Sequence, residues 1–307
     1  MPAPPVALPG RGDGAGQTGP VTVVVAWVVG FLAVRFLVMT GRDLVYIPML
    51  ARENFRGRAV YTGAGLLLVL AVLVVEAGRS GLGAVGLGDA PGVNPARPLV
   101  LYAALGFGLL GFVDDVLGGE DRGFGGHIAA LAHGRLTSGM VKLLGGAAIA
   151  LVLASEVGFV TWQRLFADAV LIALAANVAN LLDRRPGRVI KASLVAYVPL
   201  VLVAGTGPIG VAIAPLMGAA LAILPEDLRE AVMLGDTGAN VLGGVLGLAV
   251  VLECSRTTRN GVFIALIALN LASEFVSFSR VIDRVGPLRW FDRLGQLRSS
   301  AADDTTA

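Results

Sequence analysis

Three groups of acidic and amide side chains stand at the ends of long apolar runs in this sequence. Asp114 and Asp115 close the run that ends in Gly111-Phe112-Val113. Asn177, Asn180 and Asp183 close another at i, i+3 spacing, which sets them along one helical stripe. Asp236 opens a third run inside Leu-Gly-Asp-Thr-Gly-Ala-Asn, with Asn240 one turn further on the same face. Carboxylates in apolar segments are costly and are functional hypotheses by default. Adjacent carboxylates such as Asp114 and Asp115 repel unless a cation, a proton or a basic group intervenes. Hard oxygen ligands suit Mg²⁺, which takes one or two carboxylates together with substrate phosphates. The single cysteine, Cys254, and the two histidines, His127 and His133, leave no soft ligand set for zinc or copper. The pattern therefore points to phosphoryl chemistry on a nucleotide-linked donor. Plainer readings stand beside it. The Asp114-Asp115 pair is also what a solvated helix end looks like, Asp183 can pair with Arg184 or Arg185, and Asp236 suits an N-cap.

The elements that must position these groups are membrane helices. Of 307 residues, 55% are hydrophobic and 15% charged, with a mean hydropathy of +0.78. A soluble domain carries about 25% charge. A helix needs about 20 mostly apolar residues to cross a bilayer. Nine stretches qualify: 21–40, 59–77, 98–117, 139–157, 165–183, 189–205, 207–224, 236–253 and 260–279. The expected fold is all-α, a polytopic bundle in one domain over 21–298, with disordered tails at 1–20 and 299–307. The sixth and seventh stretches read as a tight helical hairpin. The N-terminal segment lacks the parts of a signal peptide. A net charge of +2 and the absence of a basic stripe exclude a nucleic-acid partner.

Orientation follows from the basic residues. With the N-terminus outside, seventeen Lys and Arg fall inside, from Arg42, Arg52, Arg56 and Arg58 to Arg280, Arg284, Arg289, Arg293 and Arg298. Six fall outside: Arg11, Arg79, Arg97, Arg164, Arg256 and Arg259. This alternation expects a cytoplasmic C-terminus. It also brings all three polar groups to the cytoplasmic ends of their helices.

The strings Gly111-Phe112-Val113-Asp114-Asp115, Gly126-His127 and Gly134-Arg135-Leu136-Thr137-Ser138-Gly139 with Lys142 resemble the polyprenyl-phosphate N-acetylhexosamine-1-phosphate transferase superfamily. Asn180-Leu181-Leu182-Asp183 is similar to its Asn-Leu-x-Asp motif, and Leu234 to Asn240 to its Met-Gly-Asp-x-Gly-Ser motif. Asn54-Phe55-Arg56-Gly57-Arg58 through Gly65 resembles the loop before its second helix, and the match runs in order over about 42–293. The resemblance implies an enzyme that moves a sugar-1-phosphate from a UDP-sugar to polyprenyl phosphate and releases UMP. It implies catalytic roles for Asp114, Asp115 and Asp183, and Mg²⁺ on Asp236 with Asp115. Substrate contacts are implied at Asn180, Lys142, Arg58 and Asn240. The setting it implies is a multi-pass protein of the bacterial plasma membrane with its site facing the cytoplasm. A homodimer is a further expectation.

The sequence departs from that pattern at several points. Gly118 stands where the superfamily commonly has lysine. Pro287-Leu288-Arg289-Trp290-Phe291-Asp292 stands in place of a histidine cluster, and Arg184-Arg185-Pro186-Gly187-Arg188 follows Asp183. A tenth helix is not seen. A relative without catalysis, binding polyprenyl phosphate or an envelope-assembly partner, is the second expectation. A transporter is a third, disfavoured by the lack of repeats.

Weaker signals complete the reading. Gly81-Leu82-Gly83-Ala84-Val85-Gly86 fits G-x-G-x-x-G but lacks the βαβ setting of a dinucleotide site. Gly243 and Gly247 have helix-packing spacing. His127 and His133 read as hydrogen-bonding loop residues, and Arg289 and Arg293 as part of a basic tail.

Overall fold

The structure is a computed structural model that describes residues 20–88, 93–118, 134, 137–159, 161–205 and 207–297. The tails expected at 1–20 and 299–307 lie outside the described residues, except that the first helix already starts at Pro20. His127 and His133 also lie outside them.

The main helices are α1 (Pro20–Thr40), α3 (Ala64–Ala84), α4 (Ala96–Leu117), α5 (Ser138–Glu156) and α6 (Trp162–Leu182). They continue as α7 (Arg188–Ala204), α8 (Pro208–Leu228), α9 (Gly235–Glu253) and α10 (Arg256–Phe275). Short helices are α2 (Arg42–Val45), α11 (Phe278–Arg284) and α12 (Gly286–Arg293). Each of the nine expected spans falls on a long helix. Among the described residues seven helices are long and apolar enough to cross a membrane, or eight if the bent α10–α11 pair counts as one span. α7, with 17 residues, is too short to count by itself. α10 carries Arg256, Arg259, Asn260, Asn270 and Glu274 and is too polar alone.

Two boundaries move, for local reasons. Residues 59–61 are not the start of a helix but β2 (Ala59–Tyr61), paired antiparallel with β1 (Ala51–Glu53) in the register Arg52↔Val60. The hairpin turn is set by Asn54, whose side-chain oxygen accepts from the N–H groups of Arg56 (2.8 Å) and Arg58 (3.0 Å). The following helix is therefore displaced and runs to Ala84, so Gly81 and Gly83 lie in its last turn rather than in a loop. The expected ninth span stops at Phe275. Val276 is extended, and the chain turns by 98° into α11.

α9 is the centre of the bundle, packed against α3, α4, α6, α7 and α8. Nearly all its residues are buried, as expected of a helix apolar on every face. Gly243 and Gly247 do act in packing: a Cβ on Gly243 would lie 2.3 Å from the Ala175 carbonyl oxygen of α6. α1 packs chiefly on α8 through a second backbone contact. A Cβ on Gly30 would lie 2.0 Å from the Pro215 carbonyl oxygen, and one on Gly218 1.9 Å from that of Trp27. Thr137, Thr161 and Ser255 cap α5, α6 and α10 with side-chain oxygens.

Candidate active site

The end of α4, the starts of α5 and α9 and the end of α6 meet at one end of the bundle. Asp114 and Asp115 are neighbours in the last turn of α4, about 100° apart around the helix, and they take different partners. Asp115 reaches across to α9. Its Oδ1 accepts from the Asp236 N–H (3.0 Å), and its Oδ2 accepts from the N–H (2.9 Å) and hydroxyl (2.6 Å) of Thr237. The first N–H groups of a helix have no intrahelical acceptor. The residue in the N-cap position of α9 is Leu234, which has no side chain able to cap. Asp115 thus caps α9 from another helix and places a negative charge at its positive end. Asp236 is not the N-cap that its sequence position suggests.

The Asp236 carboxylate points instead at Lys142, in the first turns of α5, and pairs with its ammonium. The same ammonium lies 3.5 Å from Asp114 Oδ2. Asn180 joins them. With its amide oriented to suit its neighbours, it donates to Asp236 Oδ1 (2.6 Å) and accepts from Lys142 (2.7 Å). Asp183 ends α6, its own N–H bonded to the Asn180 carbonyl (3.1 Å). Loss of water around Asp183, followed by the charges of Asp227, Asp236 and Asp115, pushes its carboxyl well above the usual carboxylate range; hydrogen bonding from the Gly235 backbone opposes the shift.

Asp114, Asp115, Lys142, Asn180, Asp183 and Asp236 are therefore one constellation. Other sequence candidates go elsewhere. Arg58, on the β1–β2 turn, forms an ion pair with Glu230 (3.7 Å), as does Arg56 (2.9 Å). Asn240 is buried one turn deeper in α9. Asn177 donates to Asn270 of α10 (2.6 Å) and leaves the stripe it was expected to share with Asn180. Gly118 ends α4, its N–H donating to the Asp114 carbonyl (2.7 Å).

Two contributors were not singled out from the sequence. Thr237 holds Asp115. Arg52 donates to the Asp115 carbonyl at 2.5 Å and ties the hairpin to the end of α4. The stretch that stands in place of a histidine cluster is also structural. Asp292 is buried and makes a two-pronged pair with Arg188 (2.7 and 2.9 Å), while Lys191 donates to the carbonyls of Phe291 (3.0 Å) and Leu294 (3.2 Å). These bonds fasten α12 to the start of α7.

Among the described residues four carboxylates stand around one ammonium, which leaves an excess of negative charge with oxygen atoms as the available ligands. Among the same residues no group of three or more His, Cys, Asp or Glu is arranged to hold a metal ion by itself. A cation here would take the rest of its ligands from phosphates and water, as Mg²⁺ commonly does.

No protein-family model matches the chain. Over 229 residues it is 28% identical to the phospho-N-acetylmuramoyl-pentapeptide-transferase of Rhodopseudomonas palustris (strain BisA53), covering 62% of this chain and 63% of that protein. It is 31% identical over 195 residues to the enzyme of that name from Deinococcus radiodurans, covering 60% and 59%. Over 296 residues it is 26% identical to the one from Oceanobacillus iheyensis, covering 83% and 84%. The chain is a homologue of these transferases. It spans less than two thirds of the length of the first two. As a transferase homologue with at least seven helices long and apolar enough to cross a bilayer, it is a multi-pass membrane protein.

Proposed function

We propose that this protein transfers a sugar-1-phosphate from a UDP-sugar to polyprenyl phosphate in envelope glycan synthesis. The observation that carries this reading is the surplus of carboxylates, Asp114, Asp115, Asp183 and Asp236, gathered around Lys142 and Asn180 at one end of a lipid-facing bundle. Such a site attracts a cation and, with it, phosphates. The match to phospho-N-acetylmuramoyl-pentapeptide-transferases supports the same class of reaction.

In this reaction an oxygen of the lipid phosphate attacks the sugar-bearing phosphorus of the donor. A new P–O bond forms, the bond to the bridging oxygen breaks, and its electron pair leaves with UMP. Asp114, next to Lys142 and not held by a helix terminus, is the group placed to accept a proton from the lipid phosphate. Lys142 faces the phosphate oxygens on which charge builds. Asn180 keeps Lys142 and Asp236 in register. Asp115 and Thr237 fix the start of α9 and so the position of Asp236. Asp236, with Asp115 beside it, would hold Mg²⁺, which when bound offsets charge on the transferring phosphates. The excess of basic residues at this end of the bundle supports a site on the cytoplasmic face of the bacterial plasma membrane.

The test is UMP release by the purified protein from a panel of UDP-sugars with polyprenyl phosphate and Mg²⁺. The expected result is turnover with one donor that stops on chelation. One structural observation favours the second reading, a relative that binds polyprenyl phosphate without catalysis. Gly118 brings no cation to the end of α4, and among the described residues Lys142 is the cation paired with Asp114 and Asp236. Polyprenyl phosphate binding without UMP release from any donor would select that reading.

A further inference from the structure

A separate feature lies between α1 and α8. Their backbones touch at Gly30 and Gly218. Towards the end that carries the carboxylate site they leave a cavity of about 410 Å³ between them, lined by Arg35, Met39, Tyr46, Leu67, Glu226 and Arg229 among others. That volume falls in the roughly 300–1,000 Å³ range of small-ligand sites. The cavity sits where spans end, at the depth of lipid headgroups. Beside it α1 turns Phe36 (65% exposed) and Met39 (72% exposed) outward, a face suited to an acyl chain.

The charges in the cavity do not close. Arg35 pairs with one oxygen of Glu226 at 2.5 Å. The other, Glu226 Oε2, is buried and has no hydrogen-bond partner. Arg229 is exposed, and among the described residues its guanidinium has no hydrogen bond or ion pair. A buried acceptor without a donor is costly, and each such group calls for an explanation. Two arginines and one glutamate leave one net positive charge.

We propose that this cavity binds the headgroup of an anionic glycerophospholipid of the phosphatidylglycerol type, its phosphodiester on Arg229 and a headgroup hydroxyl donating to Glu226 Oε2. The phosphodiester charge balances the one net positive charge of the lining. The hydroxyl supplies the missing donor, and an acyl chain lies along Phe36 and Met39. Polyprenyl phosphate brings the anion but no alcohol hydroxyl. A zwitterionic headgroup leaves the cavity charged. The proposal does not depend on the reading of the carboxylate site.

The experiment is native mass spectrometry of the full chain, delipidated and then exposed to equal amounts of phosphatidylglycerol, phosphatidylethanolamine and polyprenyl phosphate. The wild type is expected to retain phosphatidylglycerol. Arg229→Gln should retain roughly fivefold less, the factor that one basic residue at headgroup depth contributes, and Arg229→Lys should recover most of it. Equal retention by wild type and Arg229→Gln overturns the proposal. So does an Arg229-dependent preference for either of the other lipids. A photoreactive phosphatidylglycerol on the wild type, mapped by peptide mass, gives an answer that needs no variant. Labelling of 35–46 or 223–232 supports the site, and labelling confined to other segments overturns it.

Discussion

Two groups of buried charge at opposite ends of the bundle are built in opposite ways. At one end Glu76 faces two arginines, Arg79 and Arg97, both at 2.6 Å. At the same end Asp168 faces Arg164 and Arg259, the latter at 3.1 Å. Each of these two carboxylates is paired with two arginines, and the pairs join helices: α3 to α4 through Arg97, and α6 to α10 through Arg259. At the other end, among the described residues, four aspartates gather around one lysine. The same residue types serve both ends, so burial of a carboxylate does not by itself mark a site. The mark is how many cations stand against each carboxylate. A matched set is complete and holds helices together, whereas an unmatched set has room for a cation and a phosphate that the protein does not supply.

Substitutions at each end test this contrast. The largest effect is expected for Asp236→Asn, with transfer activity lower by about a hundredfold to a thousandfold, the range typical of removing one group that faces developing charge. The melting temperature should hardly move, because Asp236 does not cap its helix. UMP release and thermal unfolding measured on the same preparation check both halves. Retained activity with lost stability would make this end the equivalent of the other.

Asp168→Asn should do the reverse. It leaves Arg164 and Arg259 without their carboxylate, at a cost of about 3 kcal/mol, while activity below the melting temperature stays at the wild-type level. Denaturation in detergent reads the first and UMP release the second. Asp115 lies between these cases. Asp115→Ala should cost about 2 kcal/mol through the lost hydrogen bonds to a charged acceptor. Asp115→Asn should cost about half as much, since Asn caps nearly as well. If the two variants were equally stable, the cap from α4 would not be what fixes α9.

The smallest effect concerns Asp183 and carries a definite sign. Its carboxyl is raised in the fold, so the folded state holds the proton more tightly than the unfolded chain. Stability from this group is then full below the ordinary aspartate value of about 4 and is lost as pH rises towards the folded value. Asp183→Asn, which cannot ionise, should melt higher than wild type at neutral pH, and the gain should vanish below about pH 4. A gain independent of pH would point to packing instead.

Much of this was readable from the sequence, and the residues that escaped share a cause. Long apolar runs located the long helices, because each span must be apolar over its own length. Strand Ala59–Tyr61 was absorbed into a span because Val60 and Tyr61 are apolar in either state. Asp114, Asp115, Lys142, Asn180, Asp183 and Asp236 could be named, since each is an unusual residue beside an apolar run. What each one touches could not be read. Asp115 finds its α9 partners more than a hundred residues along the chain, and Arg188 finds Asp292 at a separation of 104. Asp168 did leave a local signal, an Arg–Asp pair at i, i+4 with Arg164, which a search limited to unmatched carboxylates passes over.

The contact between α1 and α8 has a consequence for how the protein is made. The Arg35–Glu226 pair joins residues 191 apart. At about 5–20 residues per second, the ribosome takes on the order of 10–40 s to add that much chain. α1 therefore spends that interval without the groove into which Gly30 fits, the Arg35 guanidinium left to the headgroups. Until α8 emerges, the face of α1 that carries Gly30 is open to the insertion machinery and to other nascent helices. A chain halted before residue 218 should leave the Gly30 face of α1 exposed to crosslinking from lipid, and one extended past residue 228 should cover that face.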